Sequence, residues 1–153
     1  MSQEICQMMH KGALLHKRLM SRILERYDLT YAQFQALKII HDQPGITAKE
    51  ILIYLDSDKA TLSGVLSRLE RNDMIERKKD PDDRRLVHTA LTDKSRAICE
   101  EVLAIETDCQ QDLLKGLRSR EVKHFTEGFK QVLSNQEQKL REYAVPETKE
   151  EKE

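Results

Sequence analysis

Apolar side chains at Ile5, Met8, Met9, Leu15, Leu19, Ile23 and Tyr27 recur at close to 3.6 residues and predict a helix over 3–27. Lys11, Lys17, Arg18, Arg22 and Arg26 fall mostly between them. Thr30 is a good N-cap for a second helix that carries Phe34, Leu37, Ile40 and His41 and stops at Pro44-Gly45. Thr47 with Glu50 three residues later is a capping box, in which side chain and backbone satisfy each other's unpaired groups. It starts a short helix from Ala48 to about Leu55, with Ile51, Leu52 and Leu55 turned inward. Asp56-Ser57-Asp58 is a tight connection offering new N-cap oxygens, and a further helix runs from Lys59 to about Asn72.

At Ile75 the period changes from 3.6 to 2. Residues 75–79 and 86–91 predict two strands, and Asp80-Pro81-Asp82-Asp83-Arg84-Arg85 between them carries turn chemistry. Thr92 caps another long helix, with Ile98, Val102, Ile105, Cys109 and Leu113 along one stripe. Gly116 and Ser119 mark a break before a last helix bearing Val122, Phe125, Phe129, Val132, Leu133, Leu140 and Tyr143. The tail after Pro146 is charged, lacks apolar residues and is expected to be disordered.

Composition narrows the function classes. Only 5 Gly and 3 Pro stand in 153 residues, and 35% of the chain is charged. Few chain-breakers and many charges favour long amphipathic helices over a sandwich, a barrel or a glycine-rich nucleotide-binding fold. There is no Trp, with 4 Tyr and 3 Phe, so a self-contained core is thin and one shared between subunits is attractive. The 26 Lys and Arg nearly cancel the 27 Asp and Glu, so any nucleic-acid contact must be a local basic patch. No apolar run approaches the ~18 residues of a membrane span, and the first residues lack the shape of a signal peptide. Cys6, Cys99 and Cys109 are odd in number and widely spaced, which suggests a reducing cytoplasm. Cys99 and Cys109 stand about 80° apart around a helix and ~15 Å along it, too far to share a metal. The histidines form no i,i+4 pair. No metal, cofactor or catalytic motif is expected.

The order helix, short helix, tight turn, helix, hairpin is a winged helix-turn-helix. On a wheel of the second helix of that unit, Leu62, Val65, Leu66 and Leu69 occupy one narrow sector that must face a core. The opposite sector holds Ala60, Gly64, Ser67 and Arg71, flanked by Ser63 and Arg68, with Lys59 and Thr61 at the start. An ordinary solvated helix fills that face with Glu and Lys. Small residues let a backbone dock closely, and hydroxyls and guanidiniums donate to base edges or phosphates. Gly64 costs ~1 kcal/mol of helix propensity. Close docking in a major groove compensates for that; the plain alternative is a tolerated solvent-facing glycine. At the hairpin tip Arg84 and Arg85 are placed to enter a minor groove, with Asp83 able to hold one of them. Taken alone, that turn reads more simply as an acid-base loop that keeps the hairpin soluble.

Residues 29–92 resemble the winged helix of the MarR family of bacterial transcription regulators. The resemblance lies in Leu29-Thr30-Tyr31-Ala32-Gln33-Phe34, in Thr61-Leu62-Ser63 through Leu69-Glu70-Arg71, and in Asp83-Arg84-Arg85 followed by Leu91-Thr92. It implies a mainly α fold with a small β-hairpin. An N-terminal dimerisation helix (1–28), a winged helix-turn-helix (29–92), C-terminal dimerisation helices (93–144) and a disordered charged tail (145–153) follow from it. It further implies a cytoplasmic homodimer on double-stranded DNA with a pseudo-palindromic operator. A repressor released by a small-molecule effector or an oxidant fits best, with recognition helices ~34 Å apart. Cys6 stands where the peroxide-sensing branch of the family carries its reactive cysteine, and Tyr31 matches one supporting tyrosine. His10 and Met20 replace others, so a small apolar core residue is the favoured reading of Cys6. Met8, Met9, His16, Met20, Tyr31 and Phe34 are candidates to line an effector cleft. The rival function is a winged-helix module that binds protein without an operator; an enzyme is not expected.

Overall fold

Helix α1 spans Ser2–Leu24 and tightens into a turn of 3-10 helix at Glu25–Tyr27. Asp28 then reverses the chain with a left-handed φ of 53°. Helix α2 (Tyr31–Asp42) opens on a capping box: Thr30 Oγ1 accepts from the Gln33 N–H at 3.2 Å, and Gln33 Oε1 accepts from the Thr30 N–H at 2.8 Å. Gly45, at φ +88°, turns the chain into strand β1 (Ile46–Thr47). The expected box of Thr47 and Glu50 heads α3 (Ala48–Tyr54). Asp58 caps α4 (Lys59–Arg71) through the Thr61 N–H at 2.8 Å.

Strands β2 (Ile75–Lys79) and β3 (Val87–Leu91) pair antiparallel, with Ile75 opposite Leu91 and Lys79 opposite Val87. The sheet is larger than a hairpin: β1 joins the free edge of β3, giving the order β1-β3-β2. Two residues are too few for alternation to betray a strand. Leu86, expected in a strand, closes the turn instead; its N–H donates to the Asp83 carbonyl at 2.9 Å.

The structure, a computed structural model, describes residues 1–55, 57–83 and 85–143. Arg84 and the tail at 145–153 lie outside the described residues. The chain divides into two compact units, Met1–Cys109 and Gln110–Glu153. In the first, Met20 and Leu24 of α1 join Phe34, Leu37, Ile40, Ile51, Leu62, Leu66, Leu69, Met74, Ile75, Leu91, Cys99 and Val102 in one buried cluster. Helix α5 (Asp93–Leu113) is capped by Thr92, whose Oγ1 accepts from the Ser95 N–H at 3.2 Å. Its buried face is Ser95, Cys99, Val102 and Glu106. The expected stripe differs: Ile98, Ile105 and Cys109 are half-buried and Leu113 is 68% exposed. The buried carboxylate of Glu106 is tolerated because Lys38 Nζ donates to it at 3.0 Å.

In the second unit Gly116, at φ +88°, precedes α6 (Ser119–Glu142). No α6 side chain is buried. Phe125 is 63% and Leu140 73% exposed, and Phe125 stacks on Phe129 at 5.6 Å.

Candidate nucleic-acid interface

Helix α4 is divided along its length. Leu62, Leu66 and Leu69 are buried and Val65 packs beside them, as the wheel requires. Lys59, Ala60, Thr61, Ser63, Gly64, Ser67, Arg68 and Arg71 are all exposed. A Cβ built on Gly64 would meet nothing within 4 Å. Among the described residues nothing asks for a glycine there, so its ~1 kcal/mol propensity cost has no offset from them. Asp58 accepts from both the N–H and the hydroxyl of Thr61 at 2.8 Å, which lowers the Asp58 pKa. The Thr61 proton is therefore already engaged, leaving its oxygen as an acceptor.

The wing turn is built on carboxylates. Asp80 Oδ1 accepts the N–H groups of Asp82 at 2.8 Å and Asp83 at 2.9 Å. Asp80 Oδ2 meets His88 Nε2 at 2.8 Å. The Asp83 amide, then His88, then the Asp82 amide hold the Asp80 pKa down to about 2. Asp83 supports Arg85 as the sequence suggested: Arg85 Nε and Nη2 donate to its two oxygens at 3.0 and 3.1 Å. Arg85 remains 90% exposed on its side chain, reaching outward from a fixed base. Arg84 lies outside the described residues. Of the other wing cations, Lys78 pairs with Glu76 at 2.8 Å and Arg77 with Glu70 at 3.5 Å.

Sequence reasoning missed His88. Its Nδ1 lies 2.7 Å from the Gly45 carbonyl, 43 residues away in the chain, and nothing local marks that partner.

The candidate effector residues do not share one environment. Met20 and Phe34 are fully buried core side chains, closed off by α1 against α2, rather than the walls of an open cleft. Met9, His16 and Tyr31 are half-buried and Met8 is 58% exposed. His16 stands edge-on to Tyr31 with centroids 6.3 Å apart, and its Nε2 lies 3.9 Å from Glu106. Cys6 is exposed in the single chain, not a core residue of it. Cys99 is the buried thiol, and burial pushes its pKa up to about 11, which makes it unreactive. Among the described residues no cluster of His, Cys, Asp and Glu is arranged to hold a metal, and no helix is long and apolar enough to cross a membrane.

Comparisons with known proteins converge on these elements. The MarR family model matches residues 29–87, from the start of α2 into β3. The HTH-type transcriptional regulator MgrA of Staphylococcus aureus is 34% identical over 103 residues, 63% of this chain and 70% of that protein. MarR from E. coli, solved complexed with operator DNA, superposes with a TM-score of 0.74 at 32% identity, covering 85% of this chain and 94% of that one. The regulator SlyA shares the fold at a TM-score of 0.80 and 18% identity, over 92% of this chain and 99% of that one. The two-faced α4, the carboxylate-built wing and these matches lead to one assignment: the chain belongs to the MarR family of helix-turn-helix transcriptional regulators.

Proposed function

We propose that two copies of this chain form a homodimer that binds a pseudo-palindromic operator and regulates transcription, as a repressor released by a small molecule or an oxidant. Helix α4 enters the major groove by its small-residue face. Ser63, Ser67 and Arg68 meet base edges, and Lys59 and Arg71 meet phosphates. The wing carries Arg85 to the adjacent minor groove. The protein works in the cytoplasm beside the chromosome, and no catalytic step is part of its action.

The observation that carries this reading is the two-sided α4: one face locked into the core, the other open, small and cationic around a glycine that none of the described residues requires. MarR from E. coli, solved complexed with operator DNA, shares this fold at 32% identity, which supports duplex DNA as the partner. Exposed Ile5, Met8, Leu15 and Leu19 on α1 and Phe125, Leu133 and Leu140 on α6 give a second copy apolar surface to cover.

Selection of bound duplexes from a random pool tests the reading. The expected result is an inverted repeat with half-sites about one helical turn apart. Ser67→Ala and Arg68→Ala should alter base preference within each half-site, while Arg85→Ala should weaken every sequence or the A·T-rich flanks. An unenriched pool, or unaltered preferences in all three variants, would contradict it.

A further inference from the structure

His88 lies on β3 with its two ring nitrogens against two oxygens that can only accept. The Gly45 carbonyl is 2.7 Å from Nδ1 and Asp80 Oδ2 is 2.8 Å from Nε2. A neutral imidazole has one N–H and would set its lone pair against one of those oxygens. The imidazolium has two and satisfies both. Geometry selects the charged ring.

The surroundings agree. Glu50, at the head of α3, adds a negative charge that favours the cation. Lys78 of β2 stands opposite His88 in register, with Glu76 at 2.8 Å offsetting it, and Thr47 of β1 opposite is uncharged. In the turn, Asp83 is matched by Arg85 at 3.0 Å. In α2, His41 and Asp42 pair with each other at 3.0 Å. The His88 pKa is raised, first by the Asp80 bond and then by the Gly45 carbonyl.

Much of the wing depends on this ring. One oxygen of Asp80 holds the Asp82 and Asp83 amides, its other oxygen holds His88, and Asp83 in turn holds Arg85. On the far side, Gly45 leads directly into β1 and the capped start of α3. We propose that His88 is a positioning residue whose positive charge fastens the wing turn to the helix-turn-helix, so that wing order falls as the ring loses its proton. Resting on the DNA-binding reading above, duplex affinity falls with it. The partners raise the pKa, so the fastening is complete below the ordinary histidine range and is lost as pH rises through the raised value.

The test titrates the full chain between about pH 5.5 and 8.5, which brackets an ordinary histidine. It follows the ring ¹⁵N shifts of His88, hydrogen exchange at the Asp82 and Asp83 amides, and affinity for a duplex selected from a random pool. The wild-type ring should titrate above the ordinary histidine value. Across the same midpoint the two amides should lose protection and affinity should drop roughly fivefold, the scale of one lost hydrogen bond. His88→Gln should flatten both profiles. Asp80→Asn keeps an oxygen for the turn amides but removes the charge, and should move the midpoint to lower pH. A ring that is neutral throughout, an ordinary midpoint, or a wild-type profile in His88→Gln would overturn the proposal. A chain that binds no duplex at any pH overturns the DNA-binding reading; ring titration and amide exchange then decide the fastening on their own.

Discussion

Gly64 sets the needs of the fold against those of the proposed duplex contact. Its Cβ direction is open, and its helix propensity is the poorest in α4. Gly64→Leu should stabilise the fold by about 0.8 kcal/mol, since leucine suits a helix interior. Calorimetry should then show a Tm raised by a few degrees. The same change should weaken duplex binding by roughly tenfold or more, about 1.4 kcal/mol, because the side chain fills the space the groove needs. Equal binding by the variant would leave Gly64 as an idle solvent-facing residue. Asp80 makes a second residue-level prediction. Its folded pKa of about 2 lies below its unfolded value, so its support of the turn is complete above the ordinary aspartate range and is lost as pH falls through about 2. Amide exchange at Asp82 and Asp83 should accelerate over that acid interval and not in Asp80→Asn. The α4 face and the Asp83–Arg85 pair were legible because their residues are neighbours in sequence. His88 was not, because both of its partners become partners only when the sheet forms.

Elements were legible where caps and periodicity agree. Thr47 and Glu50, Asp58, and Thr92 start helices at the residues the sequence marks. Gln33 completes a box on Thr30 that three-residue spacing also encodes. The two-residue β1 has no period to read, and its place is set by pairing Ile46 with Thr89 and Thr47 with His88. Along α5 an apolar stripe misled, because a small residue and an ion-paired glutamate occupy the buried face while Leu113 does not. Core packing anchors α4 through Leu62, Leu66 and Leu69 and leaves its outer face open. Leu66 is fully buried on α4, a helix that packs against α2, α3 and β2, so Leu66→Ala should cost about 3 kcal/mol in chemical denaturation. Where the variant still folds, sequence preference should be unchanged, since Leu66 is buried away from the exposed face of α4.

At the scale of the whole molecule, the apolar residues of α1 and α6 were legible as stripes, but what covers them is not written in one chain. A dimer resolves this, and light scattering should give twice 17.9 kDa. Phe125→Glu, which places a charge on an exposed aromatic of α6, should shift the mass toward the monomer and weaken operator binding with it. For a dimer holding DNA through α4 and the wing, the deciding measurement is the salt dependence of binding to a selected duplex. We expect two chains per duplex and an affinity that falls steeply and linearly on a log–log plot, with a slope of about −0.9 for each phosphate neutralised. A shallow slope, or a single chain bound with no sequence preference, would contradict the account.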